Sequence, residues 1–315
     1  MRHEAFWLSA SDETRLHVNH WSPDAPPRGV VMAAHGMAEH SARYQRLGAA
    51  LVNAGFALYA HDQRGHGLTA RESVLGHFAD RDGWQKVVGD LASLNHHIRQ
   101  AHPETPIFLF AHSMGSYIGQ AYLMQHSCSL QGAILSGSNY QSTTLYEIAA
   151  AIARFERWRL GPLGRSRLIQ RLTFGAYNDA FKPARTAYDW LSGDPREVDA
   201  YVEDPLCGFD CTTQLWIDLF EGLQDITPPT HLAQIDPDLP LLVIGGERDP
   251  VSAGKRLHAL AGALREAGVR DVRLRVYPAA RHELLNETVR EEVTLDLLGW
   301  LEATLSHRRQ CIMPN

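Results

Sequence analysis

Apolar and polar positions along this chain follow two rhythms. Short apolar, β-branched runs at about 15–21, 29–34, 56–60, 106–111 and 131–136 read as strands. Helical periodicity at about 41–54 and 83–101, and again from Met114 to His126, fills the spaces between them. That βαβ alternation predicts an α/β class, with a mostly parallel central sheet flanked by helices. The alternation stops after Leu135-Ser136-Gly137-Ser138, and residues 139–232 carry helical periodicity, aromatics and prolines without a clear strand. It resumes with a buried-looking strand at Leu239–Gly246. Val272–Tyr277 then alternates apolar and polar residues, as a strand with one wetter face near the sheet edge does. The expected organisation is a discontinuous core (1–138 and 233–306), an inserted helical cap (139–232) and a frayed tail (307–315).

Chemistry enters where one predicted strand ends. Ile107–Ala111 runs into His112-Ser113-Met114-Gly115-Ser116 and then into a helical pattern, which is how a nucleophile elbow reads: strand, tight turn with a serine at its apex, helix. The serine needs small neighbours because strand and helix nearly touch there, and Ala111 and Gly115 supply them. A serine hydroxyl also needs a base, and the base needs an orienting acid. Asp249, in Glu247-Arg248-Asp249-Pro250, and His282, in Ala280-Arg281-His282-Glu283, both follow predicted strands, where an open parallel sheet gathers its ligands. The order Ser113, Asp249, His282 is the one this fold class uses. Glu247 is the second choice for the acid, and Glu283 is expected to face solvent. For the oxyanion, the backbone N–H groups of Met114, at the helix start, and Met37, after Gly36, are the expected donors.

His35-Gly36-Met37-Ala38-Glu39-His40, His61-Asp62-Gln63-Arg64-Gly65-His66-Gly67 and His112-Ser113-Met114-Gly115, with Asp249 and His282 behind them, resemble the monoacylglycerol lipase and lysophospholipase branch of the α/β-hydrolases. The resemblance spans about residues 15–305. It implies Ser113 as nucleophile, Asp249 and His282 as its partners, and Met37 and Met114 as oxyanion donors. It also implies a carboxylic ester with one acyl chain as substrate: a monoacylglycerol, a lysophospholipid or a short ester. Ala111 and Ser116 stand where this family usually has glycine. An amidase or aminopeptidase could use the same triad, with Glu147, Glu156, Asp218 or Glu221 holding a substrate amine. A ligand-binding protein that lost turnover is the rival from another class. Epoxide hydrolase and dehalogenase chemistry wants a carboxylate where Ser113 stands.

Composition narrows the partners. With 315 residues, 44% of them hydrophobic, the chain can bury a large core, and a net charge of −6 argues against a nucleic-acid partner. No run of 18 apolar residues predicts a membrane span, and the first residues read as no signal peptide. Cys207-x-x-x-Cys211 has no second paired cluster, so with Cys128 and Cys311 it is expected to be a reduced thiol in a cytoplasmic protein. No metal or cofactor is called for: most of the 17 histidines cannot be catalytic, and His61, His66 and His77 have no metal-ligand helix spacing. His35, His112, Glu39 and His40 are read as supports for the catalytic turns, and Asp62, Arg64, Gly65 and Gly67 as a buttressed turn beside them.

In the cap, Leu145, Ile148, Ala149, Ile152 and Phe155 share a helical face. Arg154, Arg157, Arg159, Arg165, Arg167 and Arg171 make the neighbourhood basic. The plain expectation is an apolar face packed on the core with the arginines in water. The sharper one is a lid that touches a membrane surface, its apolar edge in lipid and its arginines at anionic headgroups. Tyr201–Phe209 reads as a turn returning towards the pocket. Periodicity fixes neither acyl-chain length, headgroup nor oligomeric state.

Overall fold

The computed structural model describes residues 1–252 and 254–306. Eight strands form one sheet in the order β1-β2-β4-β3-β5-β6-β7-β8. They are β1 (Arg2–Ser9), β2 (Arg15–Ser22), β3 (Gly29–Ala34), β4 (Phe56–His61), β5 (Ile107–His112), β6 (Gly132–Ser136), β7 (Leu241–Gly246) and β8 (Val272–Tyr277). From β4 to β8 every neighbouring pair is parallel; β1–β2 and β2–β4 are antiparallel. The sheet is therefore mostly parallel, as the sequence rhythm predicts.

The central strands are buried along their whole length, which is why they read as continuous apolar runs. Their side chains alternate between two cores. Val30, Met32, Leu109 and Ala111 face a core that includes residues of α2 (Gly83–Ala101) and α3 (Met114–His126). Val31, Ala33, Phe108 and Phe110 face the other, with α1 (Gln45–Asn53) and the C-terminal helix. β1 went unread in the sequence because it is an edge strand with both faces largely in solvent. Only Phe6 and Leu8 turn inward, too weak an alternation to stand out.

Between β6 and β7 there are helices and turns only, among the described residues. These are α4 (Thr143–Leu160), α5 (Arg167–Gln170), a π-helical turn (Arg171–Gly175), α6 (Ala176–Asp179), α7 (Pro195–Glu203), α8 (Thr213–Ile226) and α9 (Pro229–Leu232). Two more helices, α10 (Lys255–Glu266) and α11 (Arg290–Leu305), flank the last strands.

The packed face of α4 is not the one periodicity chose. Tyr146, Ala150 and Ala153 are buried where α4 lies along α8. The two alanines let the helix backbones approach, with Tyr146 packed beside them, and most of the predicted stripe is left outside. Leu145 is 45% exposed, Ile148 and Phe155 55%, and Trp158 81%. The expectation of an apolar face on the core is corrected for Leu145, Ile148 and Phe155, whereas Ile152 does pack against it.

Candidate active site

The site is built at the C-terminal ends of β5, β7 and β8. β5 ends at His112, and Ser113 has φ 53° and ψ −122°, a conformation that side-chain-bearing residues rarely adopt. Three bonds hold this turn: the Ser113 amide donates to the Ser136 carbonyl (2.9 Å), and the Ser116 amide and hydroxyl both donate back to the Ser113 carbonyl (2.8 and 2.6 Å). A Cβ on Gly115 would come within 2.3 Å of the Ala34 carbonyl oxygen, so only glycine lets the helix start this close to β3. Ala111 is fully buried and fits because its neighbour across the turn is Gly119, where a Cβ would sit 2.9 Å from that of Ala111.

His282 Nε2 lies 2.8 Å from Ser113 Oγ. On its far side, His282 Nδ1 is 3.0 Å from Asp249 Oδ1, which also accepts the Val251 amide (2.9 Å). The two loops meet tightly: a Cβ on Gly246 would come within 2.2 Å of the carbonyls of Ala280 and Arg281. The imidazole is buried between His112 (4.8 Å between ring centroids) and Trp190 (4.9 Å). Burial opposes its charged form, but the Asp249 carboxylate outweighs that, and the His282 pKa is raised above the ordinary imidazole value. His112 shows the opposite balance: burial, with His282 beside it, pushes it down to about 4, so it stays neutral. Glu247 is exposed, and its carboxylate accepts the Ala279 amide (3.4 Å).

Met37 stands in the pocket wall on the loop after β3, and Met114 is the first residue of α3. Neither amide has a hydrogen-bond partner among the described residues. Gly36 brings the loop against the serine, since a Cβ there would lie 3.2 Å from that of Ser113. The loop is held from behind. Glu39 accepts the Gly36 amide (2.6 Å), and His35 joins the Gly36 carbonyl (2.7 Å) to the Gln63 amide (2.9 Å). In the neighbouring turn, Asp62 accepts the Ser41 amide (2.7 Å) and the Leu68 amide (2.8 Å), and Arg64 pairs with Asp90 (2.6 Å).

Glu283 does not face solvent. It is buried, and Arg43 grips both its oxygens at 2.7 Å while reaching Glu39 at 2.8 Å. Burial works against its ionisation, but the guanidinium prevails and holds the carboxyl at about 2. One cation thus ties the loop of Met37 to the loop of His282. The sequence reading missed Arg43; its signal was the four-residue spacing from Glu39.

Above the serine lies a narrow pocket whose apolar wall includes Met37, Phe174, Trp190, Leu191, Tyr201 and Phe209. Four of these come from between β6 and β7, and so does Tyr201, whose hydroxyl donates to the Ala38 carbonyl (2.9 Å). The arrangement offers a hydroxyl, an imidazole paired with a carboxylate, two open backbone donors and a cleft with an apolar wall.

The serine aminopeptidase S33 family model matches residues 25–289. The chain is an α/β-hydrolase of this family. Among curated relatives, a monoacylglycerol lipase of Mycolicibacterium smegmatis is 31% identical, over 92% of this chain and 94% of its own. The monoglyceride lipase of Rattus norvegicus is 26% identical over 96% and 90%. Among solved structures, a thermostable carboxyl esterase from Bacillus coagulans in complex with glycerol superposes with a TM-score of 0.89 at 25% identity, covering 97% of this hydrolase and 99% of that chain. No helix of the described residues is long and apolar enough to cross a membrane. Cys128, Cys207 and Cys211 are free thiols in this α/β-hydrolase, and Cys311 and the tail expected at 307–315 lie outside the described residues.

Proposed function

We propose that this α/β-hydrolase cleaves carboxylic esters carrying one acyl chain, such as monoacylglycerols, lysophospholipids or short-chain esters, through an acyl-enzyme on Ser113. The observation that carries the reading is the 2.8 Å and 3.0 Å run from Ser113 through His282 to Asp249 beneath an apolar pocket. His282 takes the Ser113 proton through Nε2 as Oγ attacks the ester carbonyl. The Met37 and Met114 amides receive the oxyanion, and Asp249 stabilises the imidazolium. His282 then gives the proton to the leaving alcohol. A water, deprotonated by the same imidazole, releases the acid and restores the serine. The relatives' monoacylglycerol and lysophospholipid substrates and the apolar wall support a lipid ester over a polar one.

The family's aminopeptidase description raises the amide alternative. An aminopeptidase needs a free carboxylate for the substrate ammonium. Glu147 is exposed on α4, Glu156 is bound by Arg159 and Ser166, and Asp218 and Glu221 line a separate surface cleft with Arg154 and Arg157. Glu39 and Glu283 border the pocket but are already paired with Arg43. The ester reading stands on that account.

Residues 139–232 act in this reading as a cap, lining the pocket with Phe174, Trp190 and Phe209 and touching a lipid surface through the exposed apolar edge of α4. Arg157 on the same helix, and Arg167 and Arg171 later in the insertion, are exposed and suit anionic headgroups. The free thiols support a reducing, cytoplasmic compartment.

The test is hydrolysis of 4-nitrophenyl esters of increasing chain length, beside matched anilides, by the wild type and Ser113→Ala. Ester turnover with a clear chain-length optimum, abolished by the substitution, is expected. Activity surviving in the variant would overturn the mechanism, and a preference for anilides would overturn the ester reading.

A further inference from the structure

Beside the pocket, three chemically different ligand groups meet at the joint between core and insertion. A nitrogen of His40, a carboxylate oxygen of Asp204 and the sulfur of Cys207 all lie within 4.8 Å of one another. His40 ends the loop that carries Met37; Asp204 and Cys207 belong to the turn after α7. We infer that His40, Asp204 and Cys207 form a binding site for a thiophilic divalent cation of the zinc type, with water in the fourth position.

Geometry supports a tetrahedral ion. Zinc held at about 2.3 Å from sulfur and about 2.0–2.2 Å from nitrogen and oxygen keeps its ligands roughly 3.5 Å apart. His40 Nε2 and Asp204 Oδ2 already stand 2.9 Å apart, so this pair opens slightly while the sulfur moves in. The turn is formed beforehand. The Cys207 amide donates to the Asp204 carbonyl (3.0 Å), and the Leu206 amide to Asp204 Oδ1 (2.8 Å). The two sides of the site are also held together already, since the Gly208 amide and the Tyr201 hydroxyl both donate to the Ala38 carbonyl (3.0 and 2.9 Å). The ion therefore orders little that is not ordered.

The donor set chooses the metal. Thiolate plus imidazole suits zinc and its neighbours, whereas magnesium and calcium want oxygen alone. Of the charged groups near Cys207, Glu39 and Glu283 are already paired with Arg43, which leaves Asp204 as the carboxylate for the ion. Access is from the Asp204 side, whose side chain is 30% exposed. Burial pushes the Cys207 thiol well up, so in the free protein it is protonated. As the metal–sulfur bond forms, the S–H bond breaks and that proton passes to solvent, so binding tightens as pH rises. The Cys207–Cys211 spacing visible in the sequence is not the site, because the partners of Cys207 come from His40 and Asp204. Once bound, the ion would join the loop of Met37 to the turn bearing Gly208 and Phe209, both in the pocket wall.

Cobalt titration of the whole protein tests this with an optical readout that does not depend on turnover. With a non-thiol reductant present, one equivalent should give a near-ultraviolet thiolate-to-cobalt charge-transfer band and visible bands of tetrahedral strength, both bleached by zinc. Cys207→Ser, checked for an unchanged melt, should lose the charge-transfer band. Asp204→Asn should keep it with affinity at least about tenfold weaker, since even outer partners of a metal site are worth 10- to 100-fold. No band in the wild type, a band that survives Cys207→Ser, or unchanged affinity in Asp204→Asn would each overturn the site.

Discussion

At the scale of the residue, the site sets one imidazole's charge through its neighbours. Burial would favour neutral His282, yet Asp249 at 3.0 Å raises its pKa above the ordinary value. In the proposed mechanism His282 acts as base only when unprotonated. A raised pKa therefore moves the rise in kcat/KM to higher pH, with a midpoint above about 6.5. Asp249→Asn removes the charge but keeps the shape. It should cut kcat by about 10⁴-fold, leave KM nearly unchanged and shift the remaining rise towards lower pH. A pH–rate series on both proteins checks this, and a flat wild-type profile between about pH 5 and 8 would count against a histidine base.

At the scale of the element, α4 shows how packing overrides periodicity. Two stripes compete for the core, and the alanine stripe prevails because it allows the closer approach to α8. Phe155 and Trp158, whose rings are 5.8 Å apart, are left facing water. Burying each in a lipid interface is worth about 1.5–3 kcal/mol. The double variant Phe155→Ser, Trp158→Ser should lose at least about tenfold in co-sedimentation with anionic vesicles. Its hydrolysis of a soluble short-chain ester should not change. Equal vesicle binding by wild type and variant would remove the lipid-contact role of α4.

At the scale of the whole molecule, Arg43 joins segments 240 residues apart in sequence. It is nearly buried, and its removal strands two buried carboxylates, Glu39 and Glu283. Breaking such a pair costs about 3–5 kcal/mol, so Arg43→Met should lower the melting temperature by roughly 10 °C at neutral pH. The sign with pH follows from Glu283, whose folded pKa of about 2 lies below the ordinary carboxylate value. Its contribution is present above about pH 4.3 and is lost as pH falls towards 2. The gap between the two melts should therefore narrow in acid. Melts that coincide at pH 7 would show that the clamp carries no stability.

The sequence by itself determined the mostly parallel sheet, because buried parallel strands must be apolar throughout and crossover helices must be amphipathic. It also made the elbow legible, because only small residues fit where β5 turns into α3: a Cβ at Gly115 would strike β3. Ser113, Asp249 and His282 could be picked out for the same local reason, each standing just past a strand end. Tertiary structure alone decided what depends on distant partners. Glu283, next to the histidine, reads as a surface charge until Arg43 arrives from the other end of the chain. β1 is too exposed to show a pattern, and the packed face of α4 was chosen by α8. Cys207 has Asp204 beside it in its own turn, but His40 comes within 4.8 Å only in the folded chain. A local pattern records how a residue meets its own element, whereas a buried charge or a shared ligand set records which other element it meets.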